Sequence, residues 1–236
     1  MKKLFSILLI TALCLTSTSV MAKEATLADV TGALEAGYAG LKDLQASFTQ
    51  TTTVPGMPKS QKGSGELMLR RPPGATAQFR FDYTVPKQSI VSNGKHVWFY
   101  QPENNQVMVI TTEGMFKGGN SIALSYLTGL GNVSRDFSAS FAKERRDQKG
   151  NYQIDLVPKA ATPAITKLRL VIDRAAVEKF KSEGSLSETF PIVSSVVTDA
   201  IGSETRISYT RPKVNTGLGA GRFNFRPPKG VEIIRQ

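Results

Sequence analysis

The apolar positions of this chain follow two different periods. From Thr26 to Leu44 they recur every three or four residues, which is typical of an amphipathic helix. Thr26 and Asp29 have the spacing of a capping box, so the helix is predicted to begin directly after Thr26. Beyond this segment the period changes to two, which predicts β-strands.

Twelve strands are predicted from the alternating segments. They cover residues 47–54, 65–70, 78–84, 88–91, 96–100, 107–112, 138–143, 152–157, 165–172, 192–198, 205–209 and 222–225. Short turns join neighbouring strands, with Asn93-Gly94 the clearest hairpin signal and 149–151 and 201–203 close behind. This pattern predicts an antiparallel meander. Two short helices, 121–130 and a polar, exposed one at 174–183, interrupt it.

Several of these strands are apolar on both faces. Residues 67–69, 97–100 and 107–110 lack the alternation expected of a sheet with one face in water. One face can pack under helices, while the other must cover an apolar interior. That interior is either a ligand cavity, as in lipid-binding barrels, or a filled core between two layers. Periodicity alone leaves both open.

The N-terminus has the organisation of a secretory signal peptide. Lys2 and Lys3 precede an apolar run over 4–15, and small and polar residues lead to Ala22. We therefore expect residues 1–22 to be removed, leaving 23–236 as one soluble domain. The apolar run is too short to span a bilayer. Cys14, the single cysteine, follows Leu13 rather than a small residue, so lipid attachment is not expected and the mature chain would have no thiol.

The chain is basic, with a formal net charge of +11. Removing residues 1–22 takes away Lys2 and Lys3 and lowers this to +9. In a cytosolic protein such an excess would suggest nucleic acid, but export removes that partner. An anionic lipid surface, an acidic partner protein and plain solubility remain as explanations.

The sequence offers little for catalysis. The single histidine, His96, lies within a predicted strand, so a Ser-His-Asp triad or a zinc site lacks the residues it needs. Asp82 and Asp199 occupy positions typical of solvated carboxylates. The glycine-rich segment 217–221 precedes a predicted strand rather than a helix, which argues against a nucleotide loop. No enzyme activity, metal or cofactor is expected.

A set of short motifs carries a family resemblance. In chain order they are Ser47-Phe48-Thr49-Gln50, Gly65-Glu66-Leu67, Arg71-Pro72, Phe81-Asp82-Tyr83, 90–95, Trp98-Phe99-Tyr100-Gln101-Pro102, 198–202 and 225–231. Each is weak alone, but together they span nearly all of the predicted mature chain. In this order they resemble the periplasmic outer-membrane lipoprotein carrier (LolA) family.

The resemblance implies a fold and a binding site. The fold would be mainly β with a few helices, an unclosed antiparallel β-barrel whose helical lid covers an apolar cavity. Arg71 matches the family arginine that holds the lid shut over the empty cavity. The implied cavity residues are Phe79, Phe81, Tyr83, Ile90, Trp98 and Tyr100. The implied lid residues are Leu34, Leu124 and Leu127.

The resemblance also implies a task in the periplasm. A monomeric chaperone would bind the acyl chains of outer-membrane-destined lipoproteins. It would receive them from an ATP-driven release complex in the inner membrane and deliver them to the outer membrane, through an acceptor if one is present. A lipid-sensing or regulatory protein of the same fold is the alternative. The sequence departs from the family in a longer turn at 74–77 and a longer connection at 175–191.

Overall fold

A computed structural model of the protein describes residues 24–117, 133–160 and 165–235. Helix α1 spans Leu27–Ala39. The Thr26 hydroxyl accepts a hydrogen bond from the Asp29 N–H, and the Asp29 carboxylate accepts one from the Thr26 N–H at 2.7 Å, which confirms the predicted capping box. The helix ends before Gly40, earlier than the apolar spacing indicated, because Leu44 already belongs to the first strand.

Twelve strands form one sheet with the order β12-β6-β5-β4-β3-β2-β1-β11-β10-β9-β8-β7. The strands are β1 Asp43–Thr53, β2 Gln61–Arg70, β3 Gln78–Val85, β4 Gln88–Ser92, β5 His96–Gln101, β6 Gln106–Thr111, β7 Phe137–Arg146, β8 Tyr152–Pro158, β9 Lys167–Ile172, β10 Ile192–Thr198, β11 Glu204–Val214 and β12 Glu232–Arg235. Within the described residues β7 and β12 are unpaired edges, so the sheet is unclosed. Every pair is antiparallel except β12 with β6.

The described fold also has three α-helices, α2 at Thr112–Lys117, α3 at Val133–Asp136 and α4 at Arg174–Glu183, and 3-10 helices at Pro102–Asn104 and Ala220–Phe223. Helix α4 confirms the prediction for 174–183, although it buries Ala176 and Val177 rather than being exposed throughout. The helix predicted at 121–130 lies outside the described residues. Among the described helices, none combines the length and the apolar character needed to cross a bilayer.

One face of the sheet, here called the inner face, is apolar across neighbouring strands. Side chains directly opposite each other in antiparallel strands share a face. The register places Ala46, Leu67, Phe81, Ile90, Phe99 and Met108 in one such row from β1 to β6. Val30 and Leu34 of α1 join residues of this face in one buried core.

The opposite, outer face is crossed by residues 215–231, which we call the strap. The strap leaves β11, passes over the outer face and leads to β12 at the far edge. The predicted strand 222–225 is therefore wrong: a 3-10 turn spans Ala220–Phe223, and the last strand is β12, which was not predicted. The apolar positions of 222–225 alternate because both phenylalanines pack on the sheet. Phe223 is fully buried, and the Phe225 ring centroid lies 6.2 Å from that of Trp98 and 5.6 Å from that of Tyr100.

Asp43 anchors the start of the strap. Its buried carboxylate accepts hydrogen bonds from the Thr216 N–H at 2.8 Å and the Gly217 N–H at 2.9 Å, and one from the Thr216 hydroxyl. Asp43→Ala removes a charged acceptor shared by several donors, so we expect a loss of about 1–3 kcal/mol in the free energy of unfolding, measured in urea.

Glu66→Ala is the matched control for this substitution. Glu66 lies on the outer face of the neighbouring strand and accepts a hydrogen bond from Ser47, but its side chain is 44% exposed. Removing it should change the free energy of unfolding by less than about 1 kcal/mol. Equal stability of the two variants would show that Asp43 does not hold the strap.

Candidate functional site

Two glycines of helix α1 allow the segment 175–191 to approach it closely. A methyl group at Gly32 would lie 2.7 Å from the Phe180 ring of α4. A methyl group at Gly37 would lie 2.7 Å from the side chain of Pro191. The longer connection at 175–191 therefore packs closely against α1, and its Phe190 also contacts Tyr209 of β11.

Arg71 connects the end of β2 to this helix. Its guanidinium Nη1 donates a hydrogen bond to the carbonyl oxygen of Tyr38, in the last turn of α1. Its backbone N–H donates to the carbonyl of Lys42 at 2.8 Å. The last carbonyls of a helix lack intrahelical partners and carry the negative end of its dipole, so a guanidinium is a favourable partner for them.

A groove of about 840 Å³ opens beside Arg71. It is lined by Ala39, Leu41, Lys42, Arg71, Pro72, Pro73, Gly74, Ala75, Thr76 and Ala77. The longer turn at 74–77 and the end of α1 both line this groove. Arg71 also lines it and joins the end of β2 to the last turn of α1.

The structure divides the predicted cavity residues between two faces. Phe79 and Phe81 are buried on the inner face, and Tyr83 and Ile90 are half-buried against the same core. Leu34 of α1 packs into this core from above. Leu124 and Leu127 lie outside the described residues.

Trp98 and Tyr100 lie on the outer face, under Phe225 of the strap. The prediction that these rings share a face with Phe79 is therefore wrong. The register explains the difference: Trp98 lies opposite Val91, whereas Ile90 lies opposite Phe99. Phe99 is thus the β5 ring that faces the core, and it was not predicted as a site residue.

Polar groups are few among the described residues of this core, and most have partners. The Tyr83 hydroxyl donates to Gln50 Oε1 at 2.9 Å, and the hydroxyls of Tyr209 and Ser195 are 3.3 Å apart. Burial raises the pKa of both Tyr83 and Tyr209 to about 12. These tyrosines therefore stay neutral at physiological pH and serve as hydrogen-bond donors or acceptors within an apolar face.

The carboxylates considered for catalysis have structural partners. Asp82 accepts hydrogen bonds from Arg80 and Ser89, and Asp199 accepts two from backbone N–H groups of the turn before β11. His96 is exposed on the outer face, with its ring centroid 5.9 Å from that of Trp98. In the described part of the chain no cluster of metal-binding side chains occurs.

These features define a class of protein: one unclosed, mainly antiparallel sheet whose apolar inner face packs against a helix. A solved structure of an uncharacterized conserved protein from Thermus thermophilus has this fold, with a TM-score of 0.50, 15% identity and coverage of 86% of this chain and 97% of that one. The model of the family described as outer membrane lipoprotein carrier protein LolA matches residues 39–226. The chain belongs to this family.

Relatives from several bacteria carry the same family name. Outer-membrane lipoprotein carrier proteins of Methylibium petroleiphilum and Chromobacterium violaceum are each 31% identical to this chain. The first comparison covers 95% of this chain and 96% of its relative, and the second covers 85% of both. The carrier protein of Azotobacter vinelandii is 26% identical over 99% of this chain and the whole of its relative. The similarity therefore extends over nearly the full chain.

Proposed function

We propose that this protein carries lipoproteins through the periplasm from the inner to the outer membrane. The observation that carries the proposal is the apolar row across the inner face from β1 to β6, which shares a buried core with helix α1. Acyl chains would take the place of α1 on this face. Membership of the LolA family and the names of the relatives support lipoprotein as the cargo.

The energetics of acyl chains explain why such a carrier needs an energised donor. Burying one methylene contributes about 0.8 kcal/mol, so a chain of about 15 methylenes gains roughly 12 kcal/mol on leaving water. A bilayer provides the same gain, so apolar contact alone does not move a lipoprotein from membrane to carrier. An ATP-driven release complex in the inner membrane would supply the difference, and an outer-membrane acceptor, where present, would receive the cargo.

Arg71 would set the balance between the empty and loaded states. Its bond to the Tyr38 carbonyl exists only while α1 lies on the inner face. A ligand that occupies this face must displace the helix and break the bond, so the contact opposes binding. A carrier must also release its cargo. A contact that opposes binding helps because it keeps the affinity for acyl chains moderate.

Ligands that copurify with the protein test the proposed cargo. The full chain is purified from the periplasm of its own host and its bound molecules are identified by mass spectrometry. Lipid-modified N-terminal peptides of lipoproteins are expected. An unrelated lipid as the main ligand would contradict the carrier role, and a regulatory lipid-binding protein would then account better for the fold.

Arg71→Leu tests whether the bond from Arg71 to the Tyr38 carbonyl opposes ligand binding. Losing a charge-assisted hydrogen bond from the closed state should raise the affinity for a fluorescent acyl lipid by about tenfold. Release of bound lipoprotein to acceptor vesicles should become slower in the same proportion. Fluorescence titration measures the affinity, and a transfer assay with acceptor vesicles measures the rate of release.

The neighbouring arginine provides a matched control. Arg70 Nη1 donates to Gln78 Oε1 at 3.0 Å on the outer face, and among the described residues it makes no side-chain hydrogen bond to α1. Arg70→Leu should bind and release lipid like the parent. If Arg71→Leu also binds and releases lipid like the parent, Arg71 does not hold the protein in its closed state.

A further inference from the structure

Tyr38 carries a hydrogen-bond donor that the described structure leaves unused. Its side chain is 1% exposed, and its hydroxyl has no hydrogen-bond partner among the described residues. A buried polar group without a partner costs about 1–3 kcal/mol, and native cores contain few of them. Within the described structure this hydroxyl is therefore an unsatisfied donor in the empty, closed arrangement.

The other tyrosines of the described core differ from Tyr38 in this respect. Tyr83 bonds to Gln50, Tyr209 to Ser195, and the Tyr152 hydroxyl contacts Arg146 at 2.5 Å. All three are satisfied by groups of the protein itself. Tyr38 alone among these tyrosines has a hydroxyl with no hydrogen-bond partner among the described residues.

The position of Tyr38 relates this hydroxyl to the proposed binding surface. The ring lies in the last turn of α1, with its centroid 6.2 Å from that of Phe190. Phe190 in turn packs edge-on against Tyr209 of β11, at 5.6 Å. The backbone carbonyl of Tyr38 accepts the bond from Arg71. Movement of α1 that frees Arg71 would therefore also expose the Tyr38 hydroxyl to an incoming ligand.

We infer that the Tyr38 hydroxyl donates a hydrogen bond to the carbonyl oxygen of the ester that links an acyl chain to its headgroup. This rests on the proposed function and deepens it by naming a residue that distinguishes an acyl ester from plain hydrocarbon. An ester carbonyl is a good acceptor that the rest of this apolar face does not satisfy. Tyr38 thus acts twice: its carbonyl favours the closed state, and its hydroxyl favours the loaded one.

The protonation state of Tyr38 suits this role. Burial, with a smaller contribution from Tyr209, raises its pKa well above the ordinary value, and Arg71 opposes the shift. The hydroxyl therefore remains a donor over the whole physiological range. A donor is required because an ester carbonyl can only accept a hydrogen bond.

Two lipid probes that differ only in the carbonyl test the inference. The first is a synthetic diacyl lipopeptide with ester-linked chains, and the second has the same chains in ether linkage. Tyr38→Phe in the full chain should lower the affinity for the ester lipopeptide by about three- to tenfold and leave the ether lipopeptide within about twofold. The thermal midpoint of the empty variant should rise because the substitution removes only an unpartnered group.

A matched control variant tests whether the effect is specific to Tyr38, and a second lipid tests which esters are recognised. Tyr152→Phe removes a hydroxyl that accepts a hydrogen bond from Arg146, so its ester-to-ether ratio should equal that of the parent. A short-chain phospholipid in ester and ether forms shows whether the site reads the ester of any lipid or only that of a lipopeptide. Either outcome supports Tyr38 as the carbonyl donor.

Failure of the inference is distinguishable from failure of the proposed function. If Tyr38→Phe changes the affinities for the ester and ether lipopeptides equally, or changes neither, the hydroxyl does not recognise the carbonyl. If the parent binds neither lipopeptide, the carrier function itself is wrong. A retained thermal midpoint excludes misfolding as the cause of any loss.

Discussion

Gly65→Ala should reduce the free energy of unfolding by about 3 kcal/mol or more. Gly65 lies in β2 opposite Tyr83, where the register between β2 and β3 shifts. An added methyl group would overlap the carbonyl oxygen of Asp82 and lie 2.8 Å from the Tyr83 Cα. These are backbone atoms of the paired strand, so they can move only if the β2–β3 ladder opens. The inner face would lose the contact between Leu67 and Phe81 at the same time.

Urea unfolding followed by tryptophan fluorescence measures the loss. Gly221→Ala is the control, since a methyl group there meets no atom within 4 Å and the backbone is not in the left-handed region. The control should unfold within about 0.5 kcal/mol of the parent. A Gly65→Ala protein as stable as the control would mean that the two strands separate more easily than the register indicates.

Raising the pH above 10 should destabilise the protein by several kcal/mol. Burial raises the pKa of Tyr83 and Tyr209 to about 12 in the folded state, against an ordinary value near 10 in the unfolded chain. Below pH 10 both states hold the proton and stability is unaffected. Between pH 10 and 12 the unfolded chain releases protons that the folded protein retains, so stability falls as the pH rises. Together the two groups lower the free energy of unfolding by on the order of 4 kcal/mol at pH 12.

Unfolding curves in urea from pH 8 to 11.5 test this dependence, with tyrosinate absorbance recorded in parallel. The parent should lose stability with a slope that increases above pH 10. The double variant Tyr83→Phe, Tyr209→Phe should show a clearly smaller slope. An identical slope in parent and variant would mean that other groups control the alkaline transition.

The N-terminal helix was predictable because its signals are local. The apolar spacing, the Thr26 cap and Asp29 all lie within one segment, and each depends on neighbours only a few residues away. The turn at Asn93-Gly94 is similar: Gly94 has a φ of +91°, which favours glycine, and Asn93 caps the turn by accepting bonds from Lys95 and His96. The hairpins and the meander follow from such signals.

The strap and the division of the aromatic rings were not predictable by the same reasoning. Alternation shows that Trp98 and Phe99 face opposite sides of the sheet, but it does not show which side is the interior when both are apolar. The strap causes this ambiguity because Phe225 covers Trp98 and Tyr100 from the outside. Asp43 was missed for a related reason, because its partners Thr216 and Gly217 lie far away in sequence.

The position of β1 in the sheet has a consequence for the order in which the chain folds. β1 pairs with β2 on one side and with β11 on the other, and β12 then crosses back to β6. Strands β1 to β6 can form local hairpins early, whereas the β1–β11 ladder joins segments from opposite ends of the chain and must wait for the last strands. Until then the edge of β1 and the row of apolar side chains beside it are open to other chains. Mutations that slow the docking of the strap onto the sheet should therefore lower the yield of folded protein. This should hold even for mutations that leave the stability of the folded structure unchanged.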